Sequence, residues 1–188
     1  MKKDPPMKFF MTFLPVVLAG LILAFSSPAQ AQKVTKISEG KVRAYYSELP
    51  GLFKKPYDQF LSAYGERIHQ DLTLTTQTQI LVPGQPPAET EPLTLTKGDL
   101  VSNAERAYKA AKDAVLGSEI KDIQISADGK SARVKTVSTI RDMNFPTSDE
   151  SPMKADSLEN CDDEIVLNDS GTLQIIKSSC VSQITIKK

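Results

Sequence analysis

The sequence predicts an α+β fold, a strongly curved antiparallel sheet with about three N-terminal helices packed on its concave face. Three observations predict it. Apolar residues recur at the helical period in the first half of the chain, and the period changes to two in the second half. The late β segments are joined by short turns, which force antiparallel pairing. β-α alternation is missing from that half, so a doubly wound parallel sheet is excluded.

The chain of 188 residues opens with MKKDPPMKFFMTFLPVVLAGLILAFSSPAQA. A basic start precedes an apolar run over residues 9–25, then a polar break at Ser26-Ser27-Pro28 and the small-residue tripeptide Ala29-Gln30-Ala31. That order is the pattern of a secretory signal peptide, with cleavage expected after Ala31. An uncleaved anchor is the alternative, because about 17 apolar residues is near the short limit for crossing a bilayer. No cysteine follows the run, which argues against a lipid anchor there. Cleavage would leave residues 32–188 in the periplasm or outside the cell, enough for one domain with its own core.

The leader carries Lys2, Lys3, Lys8 and Asp4, so 20 basic and 22 acidic residues remain after its removal. A near-neutral chain without a basic cluster argues against nucleic acid as a partner, since phosphate binding needs concentrated positive charge. The same balance offers no polybasic membrane patch.

The first helix is expected over residues 34–52, where Val34, Ile37, Val42, Tyr45 and Tyr46 recur near the helical period and Pro50-Gly51 ends or kinks the run. A second is expected over residues 56–69, with Pro56 at its first position and Phe60, Leu61, Tyr64 and Ile68 as one stripe. DLTLTTQTQILV, residues 71–82, alternates with period two and is rich in β-branched residues. PGQPPAETEP reads as a loop. Thr96 and Asp99 form a loosened capping pattern before LVSNAERAYKAAKDAV, residues 100–115, whose Leu100, Ala104, Tyr108, Ala111 and Val115 repeat every three or four residues. Three β segments follow: EIKDIQIS and SARVKTVSTI around Asp128-Gly129, then a hairpin closing in VSQITI. Between them the polar segment 141–160, with two prolines, reads as a flexible loop.

The two cysteines lie in CDDEIVLNDSGTLQIIKSSC. With Ser170-Gly171 as a two-residue turn, Cys161 faces Cys180 and Glu164 faces Lys177 across the hairpin. Opposed residues are within bridging range, and an exported protein meets an oxidising environment, so a structural disulfide is expected. A redox pair would sit closer in sequence, as in Cys-x-x-Cys, and zinc would need about four Cys or His ligands where the chain has two and one. No metal and no cofactor are expected.

The element order, the YGERIHQDLTL passage from helix into strand, and IQISADGKSARV as a central hairpin together resemble the nuclear transport factor 2-like (SnoaL-like) superfamily over nearly all of the mature chain. The chain departs from that pattern in lacking tryptophan, in the long segment 141–160 and in its terminal disulfide hairpin. The resemblance implies a cone-like sheet enclosing a pocket, used catalytically by some members and for binding or assembly by many. It also implies that a homodimer is a common arrangement.

Inward-facing polar residues are the candidates for lining such a pocket. His69 and Asp71, two apart at a strand start, would share a face as a base and its orienting carboxylate. The reading preferred on so short a spacing is a helix C-terminus favoured by a cationic histidine and followed by a polar strand residue. Tyr45, Tyr64 and Tyr108 lie on apolar helix stripes and either line a cavity with hydroxyls or pack in the core. Arg141 and Asp142 would border the mouth of a cone or stand in solvent. Gly-x-Ser-x-Gly is absent, and Asp162-Asp163-Glu164 alternate in direction, so they make no calcium cage.

These readings predict an exported, disulfide-stapled protein that binds a small, partly apolar molecule or another envelope protein, without catalysis. The alternatives are an isomerase or dehydratase using His69 and Asp71 in the cone pocket, or a lipid carrier.

Overall fold

The computed structural model describes residues 35–145 and 153–187, all within one compact unit, and the leader lies outside the described residues. The element order is α1 (Glu39–Leu52), α2 (Tyr57–Glu66), β1 (Ile68–Leu81), β2 (Ala88–Glu89), β3 (Leu93–Leu95), α3 (Lys97–Ser102), α4 (Ala104–Ala111), β4 (Val115–Ile125), β5 (Ser131–Phe145), β6 (Met153–Leu167) and β7 (Leu173–Ile186).

Ser38 caps α1 by accepting from Lys41 N, so the helix starts later than its apolar pattern suggested. Ahead of it, Ile37 donates its N–H to Gly129 O at 2.7 Å. Thr96 and Asp99 form a full capping box on α3. The long helix expected over residues 100–115 is broken. Asn103 leaves helical geometry at φ −97°, ψ 0°, and its side chain donates to Asp99 O, the local competition typical of asparagine. The chain turns again after Ala111, and Val115 already pairs with Arg141 in the sheet.

The strands form one open, curved sheet in the order β2-β1-β7-β6-β5-β4, with β3 also on β1. It is mixed rather than wholly antiparallel, because β1 runs parallel to β7. A parallel pair needs a long connection, and the helices and the β4-β5-β6 meander supply it. The segment expected as a loop over residues 141–160 is strand up to Phe145 and again from Met153, with Met143 opposite Ala155 and Asn144 opposite Lys154. Its polarity arises from exposed strand ends. A bulge there places Asp142 at φ 60°, and Lys187 bridges Asp142 and Asp156 at 2.7 Å each.

Cys161 lies opposite Cys180 and is bonded to it. The turn beside them is not the two-residue one. Asn168 N–H reaches Thr172 O, Gly171 N–H reaches Asn168 O, and Gly171 takes φ 81°, which makes a three-residue loop with glycine in the left-handed region. That loop shifts the register by one near the turn, pairing Leu167 with Leu173, and a bulge at Ile176 shifts it back before Lys177. The two offsets cancel at the cysteines.

The helices cover one face of the sheet. Val42, Tyr45 and Tyr46 of α1 pack on Ala132, Val134, Ile165 and Leu173. Phe60 of α2 joins Leu52 and Ala104, with Tyr57, Tyr64 and Tyr108 around it. A separate cluster of Ala114, Met143, Ala155 and Ile186 closes the far end of the same sheet.

Candidate functional site

Between the two apolar ends, the concave face turns polar. Directly opposed residues point the same way, so the strand pairings define rows across the sheet. Ser118 faces Ser138, Ser138 faces Glu159, Glu159 faces Ser182, and Ser182 lies beside Thr78. The adjacent row carries Ile120, Thr136, the bonded pair Cys161–Cys180, and Thr76. The next carries Val134, Asp163, Ser178 and Leu74. On the other side the row is apolar apart from Ser157: Leu116, Ile140, Ile184 and Ile80.

Two carboxyls dominate this belt. Asp163 is buried and accepts from Tyr46 Oη at 2.7 Å and from Ser178 Oγ at 2.6 Å. Burial pushes its affinity for a proton up despite those two donors, and Asp162 adds to the rise. Glu159 accepts from Ser182 Oγ at 2.9 Å. Its carboxyl is desolvated, so it too is held above the usual range, with Asp163 contributing. The ordinary ion pairs of the described residues involve neither acid. One carboxylate oxygen of Glu159 and both sulfurs lie within 4.8 Å of one another, but the sulfurs are bonded together and offer no thiolate. Ser118 Oγ is buried and has no hydrogen-bond partner among the described residues.

The tyrosines divide between packing and this belt. Tyr64 stacks on Phe60 and its phenol is pushed up to about 12 by burial and by Glu159. Tyr46 is raised by burial and by Asp163. Tyr45 donates to Arg67 O at 3.1 Å beneath the Arg67 guanidinium, and burial raises it. It lines a cleft of about 670 Å³ between α1, α2 and the β6–β7 turn, with Lys41, Glu48, Lys55 and Gly171. Tyr108 donates to Lys55 O at 2.8 Å and so ties α4 to the start of α2.

His69 and Asp71 are brought together, though apart from the acids of the belt. They lie where β1 leaves its ladder with β7, between the pairs Ile68–Ile175 and Thr73–Lys177. His69 Nδ1 accepts the Asp71 backbone N–H at 3.1 Å and stands 3.7 Å from Asp71 Oδ2. The Asp71 side chain is 72% exposed. A neutral imidazole accepting at Nδ1 carries its proton on Nε2, so the nitrogen left open is a donor. Asp142 stands exposed at the sheet margin beside Lys187.

Sequence reasoning passed over Tyr46, Glu159, Asp163, Ser178 and Ser182. A signal existed. Residues two apart on a strand share a face, so once Cys161 and Cys180 are set inward, Glu159, Asp163, Ser178 and Ser182 follow them.

Helices lead into a curved mixed sheet and cover one of its faces, an α+β architecture shared with solved structures. No family sequence model matches it, and no curated protein matches it in sequence. Among solved structures it is similar to a conserved protein from Planctomyces limnophilus at 14% identity, covering 79% of this chain and 97% of that one, with a TM-score of 0.50. LinA is similar at 10% identity, 79% and 88% coverage and a TM-score of 0.50. An NTF2-like protein from Cytophaga hutchinsonii aligns at 15% identity, 77% and 98% coverage and a TM-score of 0.43.

Proposed function

We propose that the protein is an exported, non-catalytic binding module that holds a small, partly apolar molecule on the concave face of its sheet. The observation that carries this reading is the polar belt. A face serving stability alone would be filled with apolar side chains, because buried polar groups without partners cost about 1–3 kcal/mol each. Here Ser118 Oγ has no partner and Glu159 has only Ser182. Thr76, Thr78 and Ser138 are half-buried, as are Ile80, Ile140 and Ile184 on the neighbouring row. That pairing of hydroxyls with an apolar wall suits a molecule with one polar end and one apolar end.

Export is supported by the leader pattern and by the bonded state of both cysteines. The absence of catalysis is supported by His69, whose Nδ1 lone pair is already used by the backbone and whose partner Asp71 stands in solvent. Another envelope protein would instead have to meet the outer sheet face.

Native mass spectrometry of protein recovered from the cell envelope tests the reading. The expected mass is that of residues 32–188 with one disulfide, plus a small non-covalent adduct. Ser138→Leu, which fills the belt, should remove the adduct with the fold intact, and His69→Ala should keep it. An adduct indifferent to Ser138→Leu, or no adduct under any gentle condition, would count against binding at this face. A retained leader would count against export.

A further inference from the structure

We infer that the cleft bordered by α1, α2 and the β6–β7 turn is a second binding site, one that takes a carboxylate carried on an apolar chain of medium length. The cleft shares no residue with the polar belt, so the inference stands apart from the binding reading above.

The shape comes first. About 670 Å³ lies along one stripe of α1, where Lys41, Tyr45, Glu48 and Leu52 recur at intervals of three or four residues. That volume falls within the range of small-molecule sites. Tyr45 and Leu52 are buried apolar surface along it, together with Leu173 of β7. A Cβ at Gly51 would meet nothing within 4 Å, so the space is open beside Leu52 as well.

Charge then selects the occupant. Lys41, Lys55 and Arg67 line the cleft against Glu48 and Glu66, an excess of one positive charge. Arg67 pairs with Glu48 and lies over the Tyr45 ring, its guanidinium carbon 4.7 Å from the centroid. Its side chain is only 15% exposed. Nη1 donates to Tyr45 O at 3.2 Å and Nη2 to Glu48, which leaves further N–H groups of the fork without a partner among the described residues. Glu66 is turned along its own helix, where it accepts from Ser62 Oγ at 3.4 Å.

Lys41 carries the excess. It is half-buried one turn before Tyr45, and its ammonium donates to Gly171 O at 2.6 Å but pairs with no carboxylate of the described residues. A carbonyl accepts a hydrogen bond without neutralising the charge. Two cations with donors to spare thus flank one aromatic ring, and a carboxylate accepting from both would supply the missing negative charge. Leu52 lies about two helical turns, or about 10 Å, further along α1, so a chain attached to that carboxylate would run over apolar surface. Lys55, beyond it, is exposed and solvated.

Octanoate, octan-1-ol and octylamine, one chain with three heads, separate the possibilities when titrated into the protein by heteronuclear NMR. Octanoate should shift the amides around Tyr45 and those of residues 171–173, with an affinity at least ten-fold above the other two. Lys41→Gln retains a donor for Gly171 O and should weaken octanoate at least five-fold. Gly51→Leu extends a side chain into the cleft from a helical position that favours leucine over glycine. It should abolish octanoate binding with a thermal midpoint no lower than the parent's. Should Lys41→Gln fail to fold, Gly51→Leu and added salt carry the test, salt being expected to weaken octanoate and not octan-1-ol. Octan-1-ol or octylamine binding as well as octanoate overturns the carboxylate assignment. Octanoate binding that is absent, that survives Gly51→Leu, or that moves the amides around Glu159 and Ser182 in place of the cleft overturns the site, and the last of these outcomes leaves the concave-face reading standing.

Discussion

Asp163 shows how a single carboxyl can be buried without a cation. Two hydroxyls donate to it, yet burial still wins and its folded proton affinity exceeds the unfolded one. The sign of the pH dependence follows. The folded state keeps the proton to higher pH, so stability is greatest below the unfolded value of about 4 and declines as pH rises through the raised folded value, then levels. Glu159 acts in the same direction, while Tyr46, Tyr64 and Ser178 face the pair and stay neutral across that window. Asp163→Asn should flatten the decline and leave neutral-pH stability within about 1 kcal/mol, because the amide oxygen still accepts from one hydroxyl and the amide N–H can donate to the other. Asp163→Ala should cost about 1–3 kcal/mol by stranding them. Denaturant unfolding between pH 3.5 and 7 reads both, and a steeper decline in the asparagine variant would refute the burial argument. Ser118→Ala should raise stability by about 1 kcal/mol, since it deletes an unsatisfied hydroxyl, and weaken ligand binding in the same protein. Chemical denaturation with and without ligand reads that exchange.

Among the elements, the hairpin of β6 and β7 is the most instructive. Its cysteine register was legible because two-residue alternation and opposite charges at Glu164 and Lys177 survive in the sheet. The turn was not, since a bulge at Ile176 leaves no mark in composition. Helix existence was legible from periodicity, whereas the break at Asn103 depended on one side chain bonding to Asp99 O. The polar belt was hidden for a related reason. Glutamate and serine on a strand read as solvent-facing until the curvature of the sheet decides which side is inside. Replacing Cys161 and Cys180 together by alanine should lower stability by roughly 3 kcal/mol in the chain-entropy account of a loop this long, measured by denaturant unfolding as a fall in the midpoint. A loss below about 1 kcal/mol would mean that the hairpin is held by its packing instead.

Across the whole molecule, the parallel contact of β1 with β7 joins residues about a hundred positions apart, such as Ile80 and Ile184. Such pairing must wait for long loop closure, so the meander of β5, β6 and β7 should form before β1 docks. Hydrogen exchange should find the amides of β6 slowest, because that strand is paired on both sides through its length, and those of β2 and β3 fastest. Uniform exchange across the sheet would contradict this ordering. The fold class was readable from the order of periods alone, and the parallel pair was not, because no local pattern records which strands meet last.

Strand β4 ends the sheet on one side, and along it Lys121 is the extra residue between the pairs Ile120–Thr136 and Asp122–Lys135. An open margin of backbone amides invites a foreign strand to stack on it, the first step toward fibrils. The kink at Lys121 breaks the regular spacing such stacking needs and sets an ammonium group, paired only with exposed Glu119, at its midpoint. The open sheet thereby carries its own guard against clumping.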